Sequence, residues 1–295
     1  MRQSSTRLAA VALLALMLST GGCVLRSSSE PATTTEVPTT SSTSSTSTTT
    51  VPATTTTTVP ATVNVATYFM RAEKLTVLGR QVPAATPYSA LQALLAGPTA
   101  NERSLGITSV IPAGTRLLGA EVKGNEITLD MTHEFESGGG TFAVRMALAQ
   151  VVYTVTQFPG ITAVRFRIDG EPRDMLSGEG IMVDPATPEQ YRDDVLPGIL
   201  LQSPVPGDAY HEPIVIRGTS NVFEATVNYQ LVAPNGTVLV EGVTMATCGT
   251  GCWGTFNQQL PALPAGTKGP VTLRVFDWSP ADGTTMLDLV EFTLT

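Results

Sequence analysis

The chain has 295 residues, room for about two domains once low-complexity sequence is set aside. Its hydrophobic content of 42% is that of globular material, while 25 acidic against 17 basic residues leave a formal charge of -8. That balance argues against a nucleic-acid partner, whose phosphates call for a clustered basic face, and leaves protein and carbohydrate partners open.

Arg2 and Arg7 precede an apolar run from Leu8 to Leu18, followed by Ser19, Thr20, Gly21, Gly22 and Cys23, so residues 1–22 have the layout of a secretion signal. The run makes roughly 16 Å of helix, about half of a ~30 Å hydrocarbon core, so a permanent spanning helix is not expected. Its Gly-Gly-Cys end resembles the bacterial lipoprotein signal, in which a peptidase cleaves before a cysteine that carries diacylglycerol. The resemblance implies lipidation at Cys23 and an extracytoplasmic, membrane-anchored location, although Thr20 stands where that signal has an aliphatic residue. Simple secretion with an inert cysteine is the alternative. Residues 23–62 read as a disordered tether: from Ser27 to Thr62 the chain is almost wholly Thr, Ser and Pro, with Glu30 and Glu36 its only charges. Fully extended it would reach roughly 110 Å, and as a flexible coil about 30 to 35 Å. Thr-rich stalks with Pro are also common acceptors of O-linked sugar.

A first domain spans 63–183. VNVATYFM and LTVLGRQV read as strands, then Thr86 and Pro87 open a helix as N-cap and first-turn proline, with Leu91, Leu94 and Leu95 as its buried stripe and Gly97-Pro98 as its end. Leu117 to Val122 and Glu126 to Asp130 form strands around Lys123-Gly124-Asn125. Within Thr141 to Gly170, Val144, Leu148, Val151, Val152 and Val155 make one face of an amphipathic helix and Gln150, Thr154 and Gln157 the opposite, polar side. Pro159-Gly160 stops it, and Val164, Phe166 and Ile168 alternate with Arg165, Arg167 and Asp169 as a half-buried strand. The order β-β-α-β-β-α-β predicts an α+β domain with helices on one face of a sheet.

A linker, 184–196, carries a short helix signal: Thr187 as cap, Pro188 at the first position and Gln190 placed for a capping box. From 197 to 295 the chain is strands separated by turn residues, the pattern of an all-β sandwich. Ile214 and Ile216 alternate with Val215 and Arg217. Phe223, Ala225, Val227 and Tyr229 alternate with Glu224, Thr226 and Asn228, and Pro234-Asn235-Gly236 is a turn.

The stretches LQALLAGPT, IPAGTRLLGAEVKGNEITLDMTHEF and ALAQVVYTVTQFPGITAVRFRIDGEP together resemble the GerMN domain of sporulation and spore-germination proteins. Domains of that kind resemble the ring-building modules of envelope assemblies, which implies scaffolding without chemistry. ILLQSPVPGDAYHEPIVIRGTSNVFEATVNYQLVAPNGTVL, with RVFDWSPADG, resembles the immunoglobulin-like domain of bacterial spore germination that often follows GerMN.

Cys248 and Cys252 enclose Gly249-Thr250-Gly251, and outside the cell such a pair is expected to form a local disulfide that pins the loop before Trp253. Zinc would need about four ligands, and redox catalysis favours C-x-x-C. His133 and His211 stand in no nucleophile or metal motif and read as solvated. Asp130, Glu134 and Glu136 could serve glycoside hydrolysis as a carboxylate pair, or form a solvated strand end. Gly138-Gly139-Gly140-Thr141 could hold an anion at a helix start, but lacks a P-loop lysine and reads as a flexible entry capped by Thr141. Trp253 and Trp278 could stack on sugars, although a sandwich is expected to take at least one into its core.

No catalytic, cofactor or metal constellation is present. The leading expectation is a non-catalytic, lipid-anchored envelope protein that touches other envelope proteins. A cell-wall carbohydrate-binding or sensory lipoprotein that meets peptidoglycan or another glycan is the rival, and a glycoside hydrolase comes third.

Overall fold

A computed structural model describes residues 61–176, 178 and 180–295, so the signal, Cys23 and nearly all of the tether lie outside the described residues. The first domain runs β1 (Val63–Arg71), β2 (Lys74–Val82), α1 (Pro87–Leu95), α2 (Ala100–Ser104), β3 (Ile107–Thr108), β4 (Leu117–Lys123), β5 (Glu126–Met131), α3 (Thr141–Thr156), β6 (Ala163–Ile168), β7 (Glu171–Arg173), β8 (Met175–Leu176) and β9 (Ile181–Met182). Its α+β class is as the alternation of periods implies. The strands, however, form two main sheets, β2-β1-β3 and β4-β5-β6-β7, with β8 and β9 as a separate hairpin. Ala72 and Glu73, at φ 48° and 61°, make the two-residue turn between β1 and β2, a left-handed pair whose twist suits a hairpin. β5 and β6 are parallel, and α3 is the crossover that joins them.

Helix α3 departs from its expected amphipathicity. Every residue from Met146 to Val155 is buried, Gln150 and Thr154 included. The cause lies in β1. It pairs with β2 along its whole length on one side, but on the other β3 reaches only Met70 and Arg71. Side chains of α3 and of its C-cap residue Gln157 complete that ladder: Gln157 accepts from the Ala66 amide at 3.0 Å and donates to the Ala66 carbonyl at 2.7 Å. Thr154 Oγ1 accepts from the Tyr68 amide at 3.2 Å, and Gln150 Nε2 donates to the Tyr68 carbonyl at 3.1 Å. The polar stripe thus pairs a strand edge that would otherwise be buried without partners.

Thr86 caps α1 by accepting from the Ser89 amide at 3.1 Å, and Ala90, Leu91 and Leu94 are its buried face. Gly140, not Thr141, is the N-cap of α3; Thr141 is the first helical residue. Helix α2 follows α1 directly and begins with a capping box between Thr99 and Glu102. Arg80 of β2 grips the Glu102 carboxylate with two bonds of 2.8 and 2.7 Å. Burial alone would raise the Glu102 pKa, but the bonds from Arg80 and the Thr99 amide hold it below its ordinary 4.5. A depressed carboxylate stabilises the fold above its unfolded pKa and loses that contribution as pH falls through the folded value. Glu102→Gln is therefore expected to lower stability by about 1 kcal/mol at pH 7 and to match the parent at pH 3, read from urea midpoints at both pH values.

The linker holds α4 (Arg192–Val195), preceded by a 3-10 turn in which Thr187 and Gln190 form the expected capping box. The second domain comprises β10 (Ile199–Ser203), β11 (Val215–Ser220), β12 (Thr226–Val232), β13 (Val238–Met245), β14 (Gly254–Gln259), β15 (Val271–Trp278) and β16 (Met286–Leu294). Two antiparallel sheets, β10-β11-β14 and β13-β12-β15-β16, make the seven-stranded sandwich. Ile216, Val227, Leu231, Leu273 and Val275 are at its centre. Phe223 is not a strand residue: Glu224 has φ 53°, so 223–225 form a tight turn, Phe223 is exposed, and β12 begins at Thr226.

Candidate functional site

The predicted site residues that gather in one place do so where the two domains meet. Cys248 and Cys252 are bonded, with Cα atoms 5.7 Å apart. Thr250 and Gly251 take positive φ in the enclosed loop, which is fastened to the turn before β12. The Thr250 amide donates to the Val222 carbonyl at 2.9 Å, and the Gly251 amide to Asn221 Oδ1 at 2.8 Å. Gly249 has no room for a side chain, since a Cβ would lie 2.4 Å from the Ala225 backbone. Trp253 follows at once. It is half-buried, packs against the core of the first domain, and donates from Nε1 to Asp193 Oδ1 on α4 at 2.6 Å.

Other contacts complete the junction. Leu200 and Val205 join the core of the first domain. Asn64 Nδ2 donates to Asp208 Oδ1 at 2.6 Å, and Lys74 Nζ donates to the Asp194 carbonyl at 2.9 Å. Gly79 meets the Pro206 carbonyl so closely that a Cβ would come within 2.0 Å of it. The described residues thus form one compact unit.

Beside Trp253 a cleft of ≈ 370 Å³ opens between the domains, lined among others by Tyr68, Tyr153, Gln157, Arg192 and Gln202. The two tyrosine rings lie 5.5 Å apart at 44°. Burial pushes both phenols well above their ordinary pKa, for Tyr68 against an opposing hydrogen bond from Gln202, so both are neutral donors. A larger cleft of ≈ 550 Å³ lies among β2, β10 and β16, where Leu75, Val77, Leu200, Leu289 and Phe292 give it an apolar lining.

The remaining candidates are dispersed. Trp278 sits at the end of β15, half-buried, edge-on to Phe276 at 4.7 Å. Neither tryptophan belongs to the buried core of the sandwich, contrary to expectation: aliphatic side chains with Tyr229 and Phe256 fill it, and Trp253 faces the other domain. Asp130 accepts from the Gly170 amide at 2.9 Å, and Glu136 pairs with Arg173 at 3.1 Å. A hydrogen bond from Thr132 depresses the Glu134 pKa. His133 is exposed and lies 3.5 Å from Glu134 and 3.4 Å from Asp169, while His211 is exposed. None of the three carboxylates lines either cleft.

A family model described as sporulation and spore germination matches residues 4–174, more than half of the chain. The chain belongs to this family. A second model, the immunoglobulin-like domain of bacterial spore germination, matches residues 198–284, the sandwich. The chain is also similar to the tandem GerMN domains of the sporulation protein GerM from Bacillus subtilis, at 18% identity over 68% of this chain and 61% of that one, with a TM-score of 0.38. The first GerMN domain of that protein gives 24% identity over 45% of this chain and 96% of its own, with a TM-score of 0.34. A Clostridium perfringens protein named as a candidate lipoprotein gives 18%, 46% and 93%, with a TM-score of 0.33. The chain thus spans 61% of the tandem-domain protein it resembles. No curated protein matches the chain. Among the described residues, no helix of this family member is long and apolar enough to cross a membrane.

Proposed function

We propose that this sporulation and germination family member is a non-catalytic envelope lipoprotein, anchored through Cys23, that works by presenting its surface to other envelope proteins. What carries the reading is β4. It is the outer strand of its sheet, with β5 as its one neighbour among the described strands. Ala120 and Val122 lie opposite Leu129 and Ile127, on the face whose β5 residues are buried, yet both are exposed, Val122 by 54%; Leu118, unpaired at the bulge in β4, is 52% exposed as well. The apolar face of the sheet therefore runs out past the helices that cover it. An uncovered strand edge with apolar side chains is a template for pairing with a strand of another protein.

A photo-crosslinking residue at Val122 in intact cells is expected to yield a discrete protein adduct, and the same residue at exposed Lys268 none. Equal labelling from both positions, or none from Val122, would count against β4 as the contact. Cys23→Ala is expected to move the protein from the membrane to the soluble fraction, and unchanged fractionation would remove the anchor. A carbohydrate-binding role is the second reading, favoured by the aromatic and guanidinium groups that share the cleft at Trp253.

A further inference from the structure

In the junction cleft the fold uses most of the fixed polar groups itself. The Gln157 amide is engaged at both ends by Ala66, the Tyr153 hydroxyl donates to the Pro188 carbonyl at 3.1 Å, and the Trp253 N–H is held by Asp193. Arg192 is the exception. Its guanidinium comes no nearer than 3.8 Å to the Asp193 carboxylate, beyond hydrogen-bond reach, and its Nε is shut off from solvent with no acceptor among the described residues. The side chain is nonetheless 40% exposed, so a ligand meets the guanidinium at its outer Nη1–Nη2 edge rather than at Nε, and the two oxygens of a carboxylate match that edge.

The surroundings narrow the ligand. Glu189 lines the same cleft and Asp193 stands beside Arg192, so two carboxylates face one guanidinium and the repulsion they add grows with each charge on a ligand, which weighs against a dianion or polyanion more than against a monoanion. Trp253 gives the rim an indole whose N–H bond fixes its orientation, a pre-set surface for the C–H face of a sugar ring. Thr156, Thr162, Thr219 and Thr255 also line the cleft and put hydroxyls around that surface. Its volume, ≈ 370 Å³, is within the ~300–1,000 Å³ usual for small-molecule sites.

We infer that this cleft binds a saccharide carrying a single carboxylate, with the carboxylate on the Arg192 guanidinium and the ring against Trp253. This site rests on the carbohydrate-binding reading of the cleft, which it narrows to one ligand class, and does not depend on the contact proposed at β4.

The test is titration of the full chain, in detergent, with N-acetylmuramic acid, glucuronic acid, N-acetylglucosamine and inorganic phosphate. It is followed by calorimetry and by Trp fluorescence in a Trp278→Phe background, which leaves Trp253 as the sole reporter. The two carboxylated sugars are expected to bind at least tenfold more tightly than N-acetylglucosamine or phosphate and to perturb Trp253 emission. Arg192→Gln is expected to lose that tenfold, and Arg192→Lys to recover part of it, with little change in melting in either, because among the described residues Arg192 Nε has no acceptor and the nearest carboxylate, Asp193, is 3.8 Å away. Equal affinity for N-acetylmuramic acid and N-acetylglucosamine would overturn the inference. So would tighter phosphate binding, unaltered affinity in Arg192→Gln, or no binding of either carboxylated sugar at millimolar concentration.

Discussion

The double replacement Gln150→Leu with Thr154→Val is expected to lower the unfolding free energy by at least about 3 kcal/mol, the largest single loss in the first domain. Both side chains are fully buried in α3, and between them they satisfy the amide and carbonyl of Tyr68. Gln150 Oε1 also accepts from the Val110 amide at 3.1 Å. Three backbone groups would be left without partners, each costing about 1–3 kcal/mol, partly offset by the apolar surface that Leu and Val add. Thr154→Val alone keeps the shape, removes the hydroxyl, and is expected to cost about 1–2 kcal/mol. Gln92→Leu on the exposed face of α1, where the lost bond is to the Tyr88 hydroxyl, is the control and is expected to change stability by no more than about 0.5 kcal/mol. Denaturant midpoints give the energies, and hydrogen exchange at the Tyr68 amide gives the location. Unaltered protection there in the double variant would refute the role assigned to the polar stripe.

The same stripe shows why one part of the fold was readable and another was not. Its apolar positions, Val144, Leu148, Val151, Val152 and Val155, announce a helix and a buried face. Gln150, Thr154 and Gln157 recur at the same helical period, and a polar stripe looks alike whether water or an unpaired strand edge satisfies it. What decides between them is the shortness of β3, which pairs with only two residues of β1. Phe223 failed for a related reason. Alternation with Val227 and Tyr229 implied one continuous strand, but positive φ at Glu224 and Ala225 ends the pattern before β12 starts. Helix α2 carried a legible Thr99-x-x-Glu102 box, yet its five residues have no apolar stripe and none is buried. At the candidate site the cysteines and Trp253 could be picked out by type and spacing. Arg192 could not, because it stands out only by the acceptor it lacks, and Asp193 lies 60 residues from its partner.

That long-range pair supports the second large effect. Trp253→Ala removes the ring that packs on the first domain together with the bond to Asp193, and is expected to cost about 2–4 kcal/mol. Trp253→Phe keeps most of the packing and loses only the N–H, and Asp193→Ala removes only the acceptor, so each is expected to cost about 1 kcal/mol. Combining those two should cost little more than either alone, since both delete the same bond. Cys248→Ser with Cys252→Ser acts differently: opening so short a loop is expected to cost about 2 kcal/mol through the unfolded chain, while the Trp253–Asp193 bond survives. If the ring fastens the domains, Trp253→Ala will also raise hydrogen exchange at the Gly79 contact with Pro206, a place it does not touch, and the cysteine variant will raise it less. Stability loss confined to the second domain in Trp253→Ala, with exchange at Gly79 unchanged, would mean that the tryptophan serves its own sandwich alone.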